Sequence, residues 1–314
     1  MFKQILVPLD GSTRAQQALP IAARLARASS GTVTLVQVVS PPSEFMEVVG
    51  EIVLPEVLDE NVPAANEYLE GVAQTSSLEG VHTATRVVIG HPAKGIITAA
   101  QADNVDLVVL CSHGYTGFMR WSMGSIAEKV ARHAPSPVLI LHEGSALSTE
   151  AGVVPHGSIR VLVPLDGSEY AETALVPAAL LAWAYSAPAR GELHLTRVVS
   201  SPNGEVSSSH EEAERARQYL HSVVERLQQH PLTEANVPLA VSMTWSVTEA
   251  SDVATGIMQA AENSGKREDA ARHAGCQVIA MATHGLGGPQ LWTMGSTTER
   301  VLQVAQQPML IVHR

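Results

Sequence analysis

The sequence predicts an α/β fold: two tandem doubly wound domains, each with a five-stranded parallel sheet flanked by helices. Three observations predict it. The segment Ile5-Leu6-Val7-Pro8-Leu9-Asp10-Gly11-Ser12 returns as Val161-Leu162-Val163-Pro164-Leu165-Asp166-Gly167-Ser168. Ser112-His113-Gly114, then Trp121-Ser122-Met123-Gly124-Ser125, returns as Thr283-His284-Gly285, then Trp292-Thr293-Met294-Gly295-Ser296, and each copy closes on an apolar run after a proline, Pro137 to His142 and Pro308 to His313. Repeats this far apart are domain-sized and not solenoid units. Within a copy, short runs that are apolar throughout alternate with longer amphipathic segments, the pattern of buried parallel strands joined by crossover helices.

In the first copy Gln4 to Leu9 reads as a strand, and Thr13 to Ala28 as a helix with Ala15, Ala18, Leu19, Ala22, Ala23, Leu25 and Ala26 along one stripe. Val33 to Val39 is the second strand, Ala64 to Leu78 a helix and Thr83 to Ile89 the third strand. Pro92 opens the next helix at its first position, where its missing N–H is no loss. Val105 to Leu110, Ser125 to His133 and Val138 to Leu141 complete the order as strand, helix, strand. The second copy repeats this from Arg160 onward, with a polar insertion near Glu262 to Ala274 that reads as a solvated extension of the preceding helix. The expected domains, each Rossmann-like, are 1–143 and 159–314, joined by a linker rich in Gly, Ser, Ala and Thr, 144–158.

A chain of 314 residues, 45% of them apolar, supplies two hydrophobic cores. The formal charge of -11 opposes binding to a phosphate backbone, so no nucleic-acid partner is expected. Cys111 and Cys276, one per copy, leave no disulfide framework and read as small buried hydrophobes in a reducing compartment. Met1 runs straight into an apolar strand with no basic leader, and no apolar stretch reaches the length of a membrane span. A cytoplasmic chain without a membrane partner is expected.

The chemistry concentrates at strand ends. The fourth strand stops at Cys111-Ser112-His113-Gly114 and the chain restarts as a helix at Gly124-Ser125. Glycine lets the backbone approach a ligand closely, Ser125 is placed to cap the helix, and the unpaired N–H groups and positive dipole end of the helix attract a phosphate. A glycine turn and a serine cap also suit any strand-to-helix connection. Asp10-Gly11-Ser12 ends the first strand, at the switch point where doubly wound sheets bind ligands. Asp10 is either an acceptor for a nucleobase amino group or ribose hydroxyl, or a turn former bonded to its own backbone while Ser12 caps the helix. Asp166 and Ser168 pose the same choice. His113 and His284, beside the loop glycines, either contact phosphate or sit at the turn surface. Other chemistries lack their motifs: Gly90 to Gly95 continues as Ile96-Ile97 where a Walker loop needs Lys and Ser or Thr. No dinucleotide fingerprint follows the first strand, no nucleophile elbow is present, and the histidines lack metal-ligand spacing.

These residues resemble the universal stress protein family in its tandem two-domain form. Val-Pro-Leu-Asp-Gly-Ser near the start of each copy, with His-Gly, nine residues and Gly-Ser near its end, carries the resemblance over nearly the whole chain. ATP-binding members of that family have Gly, two residues, Gly, nine residues, Gly, then Ser or Thr. The spacing is intact twice here, with Cys111 and Ala282 in place of the first glycine. The resemblance implies ATP, with Mg²⁺, as the cofactor. It places Pro8, Asp10, Pro164 and Asp166 in the site, with the aspartates facing the adenosine, and Val38 and Val198 beside the base. Gly114, Ala282 and Gly285 would line the phosphate loop, and Gly124, Ser125, Gly295 and Ser296 would hold phosphate oxygens. Thr297 and Thr298 add hydroxyls where the first copy has Ile126 and Ala127, so the second copy is expected to bind more tightly. The implied function is an ATP-binding stress-response regulator, a nucleotide-dependent conformational or interaction switch and not an enzyme. Its alternatives are a nucleotide-free interaction module of the same fold and a slow ATP hydrolase. Single-domain relatives pair through their last strands, so Val138 to Leu141 and Met309 to Val312 are expected to pack the halves as an intramolecular pseudo-dimer, and a homodimer of the whole chain is compatible with that.

Overall fold

The apolar runs of the first half become five parallel strands: β1 (Gln4–Leu9), β2 (Thr32–Val39), β3 (His82–Ile89), β4 (Leu107–Cys111) and β5 (Val138–Leu141). The structure, a computed structural model, describes residues 1–41, 55–112, 123–142, 147, 157–200, 206–230, 232–234, 237–263, 275–285 and 294–313. The chain divides into two units, one centred on Phe2–Glu143 and one on Pro155–Arg314. In the first unit the strands lie in the order β5-β4-β1-β2-β3. Residues of the central strands, such as Ile5, Leu6, Leu107 and Val108, are wholly buried, which is why β1 beyond Gln4 and β4 run apolar without alternating. Chain order reverses between β1 and β4, where Ile5 faces Leu107 and Leu6 faces Val108.

Among the described residues, four α-helices flank this sheet: α1 (Leu19–Ser29), α2 (Pro55–Ala73), α3 (Pro92–Ala102) and α4 (Ser125–His133). Right-handed crossovers put α1 and α2 on one face of the sheet and α3 and α4 on the other. The helix expected from Thr13 divides: a 3-10 turn, Ala15–Ala18, precedes α1. Pro20 accounts for the break, since its ring is tolerated only within the first turn of an α-helix. The helix α2 starts well before the expected Ala64 and carries Pro63 inside it.

The second unit repeats the plan with β6 (Arg160–Pro164), β7 (Gly191–Ser200), β10 (Val241–Ala250), β11 (Val278–Ala282) and β12 (Met309–Val312), in the order β10-β7-β6-β11-β12. Its helices are α5 (Glu169–Glu172), α6 (Leu175–Ser186), α7 (Val206–Gln229), α8 (Val253–Asn263) and α9 (Ser296–Val304). A short antiparallel pair, β8 (Thr233–Glu234) and β9 (Val237–Pro238), is added before β10. The expected insertion continues beyond α8, and its residues 264–274 lie outside the described ones. Within the expected linker, Leu147 is wholly buried and its carbonyl accepts the Tyr185 hydroxyl at 2.9 Å. That residue packs with the second unit. Among the described residues no helix is long and apolar enough to cross a membrane.

Candidate functional site

Each Asp-Gly-Ser segment folds into the same hydrogen-bonded turn. After β1, Ser12 donates to Asp10 Oδ1 from its N–H (3.0 Å) and its hydroxyl (2.6 Å), and Ser12 Oγ accepts from Ala15 N–H at 3.1 Å. After β6, Ser168 donates to Asp166 Oδ1 at 2.9 and 2.6 Å, and Ser168 Oγ accepts from Ala171 N–H at 3.0 Å as the N-cap of α5. Gly11 and Gly167 take the left-handed conformation, φ 86° and 90°, that lets the chain reverse between these partners. Oδ1 of both aspartates thus does turn-forming work; Ser168 is the N-cap of α5, whereas Ser12 only accepts from Ala15 N–H and the N-cap of the 3-10 turn is Arg14, so the expectation that Ser12 caps the helix is corrected. Pro8 and Pro164 stand half-exposed in β1 and β6, opposite Val36 and Thr196.

The second component comes from the helices after β4 and β11. Gly124 N–H donates to Ser112 O at 2.8 Å and Gly295 N–H to Thr283 O at 2.7 Å, tying each helix start to the strand end. Gly124 and Gly295 themselves hold the N-cap position, so the expectation that Ser125 caps α4 is corrected. Ser125 and Ser296 stand one residue further on and are exposed. A glycine cap has no side-chain oxygen, so neither helix start has a side-chain cap. The first intrahelical bonds run from Glu128 to Gly124 O (2.9 Å) and from Glu299 to Gly295 O (3.0 Å). The N–H groups of the first three helical residues therefore lack an intrahelical acceptor and carry the positive end of the helix dipole.

The threonines that follow differ from the expectation. Thr298 is buried and its hydroxyl donates to Ala282 O at 2.9 Å. With its one proton donated there, it tethers α9 to β11. Thr297 is half-exposed. Cys111 also departs from its expected role: half-exposed, it donates its thiol to Arg14 O at 3.0 Å and so links the end of β4 to the segment after β1. Cys276 is buried, as a small hydrophobe would be.

Gly285 joins the two components in the second half. A Cβ there would lie 2.1 Å from Asp166 Oδ2, so the carboxylate occupies the space that any other side chain would need. Gly114, its counterpart, and His113 lie outside the described residues. His284 is half-exposed, with Nδ1 3.1 Å from Thr283 Oγ1. Val38 and Val198 lean on Gly95 of α3 and Gly256 of α8 at the ends of β2 and β7. Among the described residues no cluster of three His, Cys, Asp or Glu side chains could hold a metal.

Two tyrosines that sequence reasoning missed stand against the turns. Gln16 donates to Tyr68 Oη of α2 at 3.1 Å, and Tyr219 Oη of α7 donates to Glu172 at 2.9 Å, while Glu172 also pairs with Arg226. Burial raises both phenols above the ordinary range; the hydrogen bond to Glu172 pushes Tyr219 further in the same direction. Tyrosine occurs only five times in the chain, so its return in the same crossover helix of both copies was the available signal.

The model of the universal stress protein family matches residues 1–142 and again 159–313. A universal stress protein of Methanocaldococcus jannaschii is 31% identical over 148 residues, covering 45% of this chain and 82% of that protein. One from Thermus aquaticus is 30% identical over 142 residues, covering 45% of this chain and 99% of the relative. Among solved structures, a universal stress protein from Archaeoglobus fulgidus matches with a TM-score of 0.65 at 22% identity, covering 100% of this chain and 97% of that one, which speaks for the fold. With two matches in tandem that together span most of its length, the chain belongs to the universal stress protein family.

Proposed function

We propose that this protein is an adenine-nucleotide-binding stress-response regulator that takes ATP with Mg²⁺ and changes conformation or association with occupancy. The observation that carries this reading is the pair of glycine-capped helix starts at the switch-point edges. Gly124 and Gly295 leave the first-turn N–H groups of α4 and α9 without a side-chain cap, and the serine hydroxyls beside them are exposed. One helix dipole contributes only about 0.3–1 kcal/mol per exposed charge, so phosphates would need several of these N–H groups together, at Ser125 and Ile126 in the first half and Ser296 and Thr297 in the second. Asp10 and Asp166 would offer Oδ2 to the adenosine, with Val38 and Val198 beside the base and Pro8 and Pro164 at the strand ends. Gly114, Ala282 and Gly285 would line the phosphates. The metal would arrive with the nucleotide, held by phosphate oxygens and a serine hydroxyl.

One observation favours a second reading. Oδ1 of both aspartates is already bonded within its own turn, which is all that a nucleotide-free interaction module would require. Mass spectrometry of small molecules released from freshly purified protein, followed by calorimetric titration of stripped protein with ATP and Mg²⁺, separates the two. Released adenine nucleotide, or saturable binding, supports the regulator. Protein that carries no nucleotide and takes up none at millimolar ATP leaves the interaction module.

A further inference from the structure

Strand β7 brings a cation to the turn that follows β6. Arg197 pairs with Val247 of β10, one residue beyond Thr196, whose partner in β6 is Pro164. It is therefore level with the point where β6 gives way to Asp166. Its guanidinium carbon lies 5.2 Å from the centroid of the Tyr219 ring. Its Nη1 is 3.1 Å from where a Cβ would stand on Gly167. The nearby carboxylates have other partners: Glu172 accepts from Tyr219 and pairs with Arg226, and Asp166 Oδ1 accepts from Ser168. Among the described residues Arg197 forms no ion pair within contact distance. The first half has Gln37 at this strand position, beside Leu9 of β1. The second half therefore has a cation at the strand position where the first has glutamine.

We propose that Arg197 is an anion-reading residue at the Asp166 edge of the second-half site, where its charge favours phosphorylated ligands over neutral ones, so that this half discriminates its ligands by charge. The inference rests on the nucleotide reading above. A guanidinium stays charged at any working pH and presents a planar fork that matches phosphate oxygens. Stacking on the Tyr219 face restricts the side chain before any ligand arrives, which lowers the ordering cost of binding.

The test uses the full chain, stripped of nucleotide, with ATP and adenosine as probes. Arg197→Gln should weaken the ATP affinity that Gly295→Val also removes by about five- to tenfold, while adenosine affinity stays within about twofold. Arg197→Lys, which keeps the charge but not the planar fork, should restore only part of the ATP affinity, and the salt dependence of ATP binding should be shallower in Arg197→Gln than in the unchanged chain. Each variant is first shown to fold by its circular dichroism and cooperative melt. Equal losses for ATP and adenosine, or no loss for either while the unchanged chain binds ATP, would overturn the role of Arg197 alone. An unchanged chain that binds neither probe would overturn this role and the nucleotide reading together.

Discussion

His194 sits in the middle of β7, 6% exposed, with Nδ1 2.8 Å from Thr244 Oγ1 and Nε2 2.9 Å from Ser246 Oγ. The Thr244 hydroxyl donates to Glu192 at 2.8 Å, so it accepts from Nδ1–H, and Nε2 in turn accepts from Ser246. That arrangement holds the imidazole neutral. Burial, reinforced by the Arg160 guanidinium and opposed by Glu192, drives its pKa down to about 4 from 6.5. A base depressed in the folded state is protonated more readily when the chain unfolds, so its contribution is complete above pH 6.5 and is lost as pH falls toward 4. The full loss is on the order of 3 kcal/mol. Urea unfolding of the second half between pH 7 and pH 4 should show this fall, and His194→Gln, which keeps a donor and an acceptor but cannot titrate, should flatten it. Parallel pH profiles for the two proteins would mean that His194 does not carry the proton.

The helix α9 is fastened to its strand by two bonds, Gly295 N–H to Thr283 O and the Thr298 hydroxyl to Ala282 O. Thr298→Val keeps the shape and leaves a carbonyl unpaired, so it should destabilise the second half by about 1–3 kcal/mol in chemical denaturation. ATP affinity should stay within about twofold if Thr298 is a tether; a loss as large as that from Gly295→Val would restore it as a phosphate ligand. The strands and most helices were legible in the sequence because buried parallel strands are apolar at every position and their helices keep one apolar stripe. The break before α1 was missed, although Pro20 stands at it. What the sequence hid were contacts made by folding: the Asp166 carboxylate filling the space at Gly285, Thr298 turned inward where its motif neighbour Ser296 faces out, and Tyr219 carrying Arg197 against the turn. Spacing placed these residues near one edge, but the direction of a side chain depends on which face of its element is buried.

In a chain of two compact units, a bound nucleotide stabilises the half that holds it, by mass action on that half's unfolding. At about 100 times its dissociation constant a ligand adds roughly 2.7 kcal/mol, and for a domain of this size each kcal/mol moves the midpoint by about 2–4 °C. ATP with Mg²⁺ should therefore raise a melting transition by about 5–10 °C in scanning calorimetry. The second half should supply most of this shift, because it has alanine where the first has Cys111, a half-exposed Thr297 hydroxyl beside Ser296, and Arg197 near Asp166. At Gly295 even a Cβ would stand 3.2 Å from Thr283 O, and a branched side chain there would also cover the N–H groups of the helix start. Gly295→Val should remove most of the shift, and Gly124→Val a smaller part. Because either substitution also lowers the ligand-free midpoint, the quantity to compare is the difference between ligand-free and ligand-bound scans of the same protein. Equal losses from the two variants would put the halves on a par, and a larger loss from Gly124→Val would make the Cys111 half the principal site. No shift in the unchanged, nucleotide-free chain at millimolar ATP would remove nucleotide binding from both.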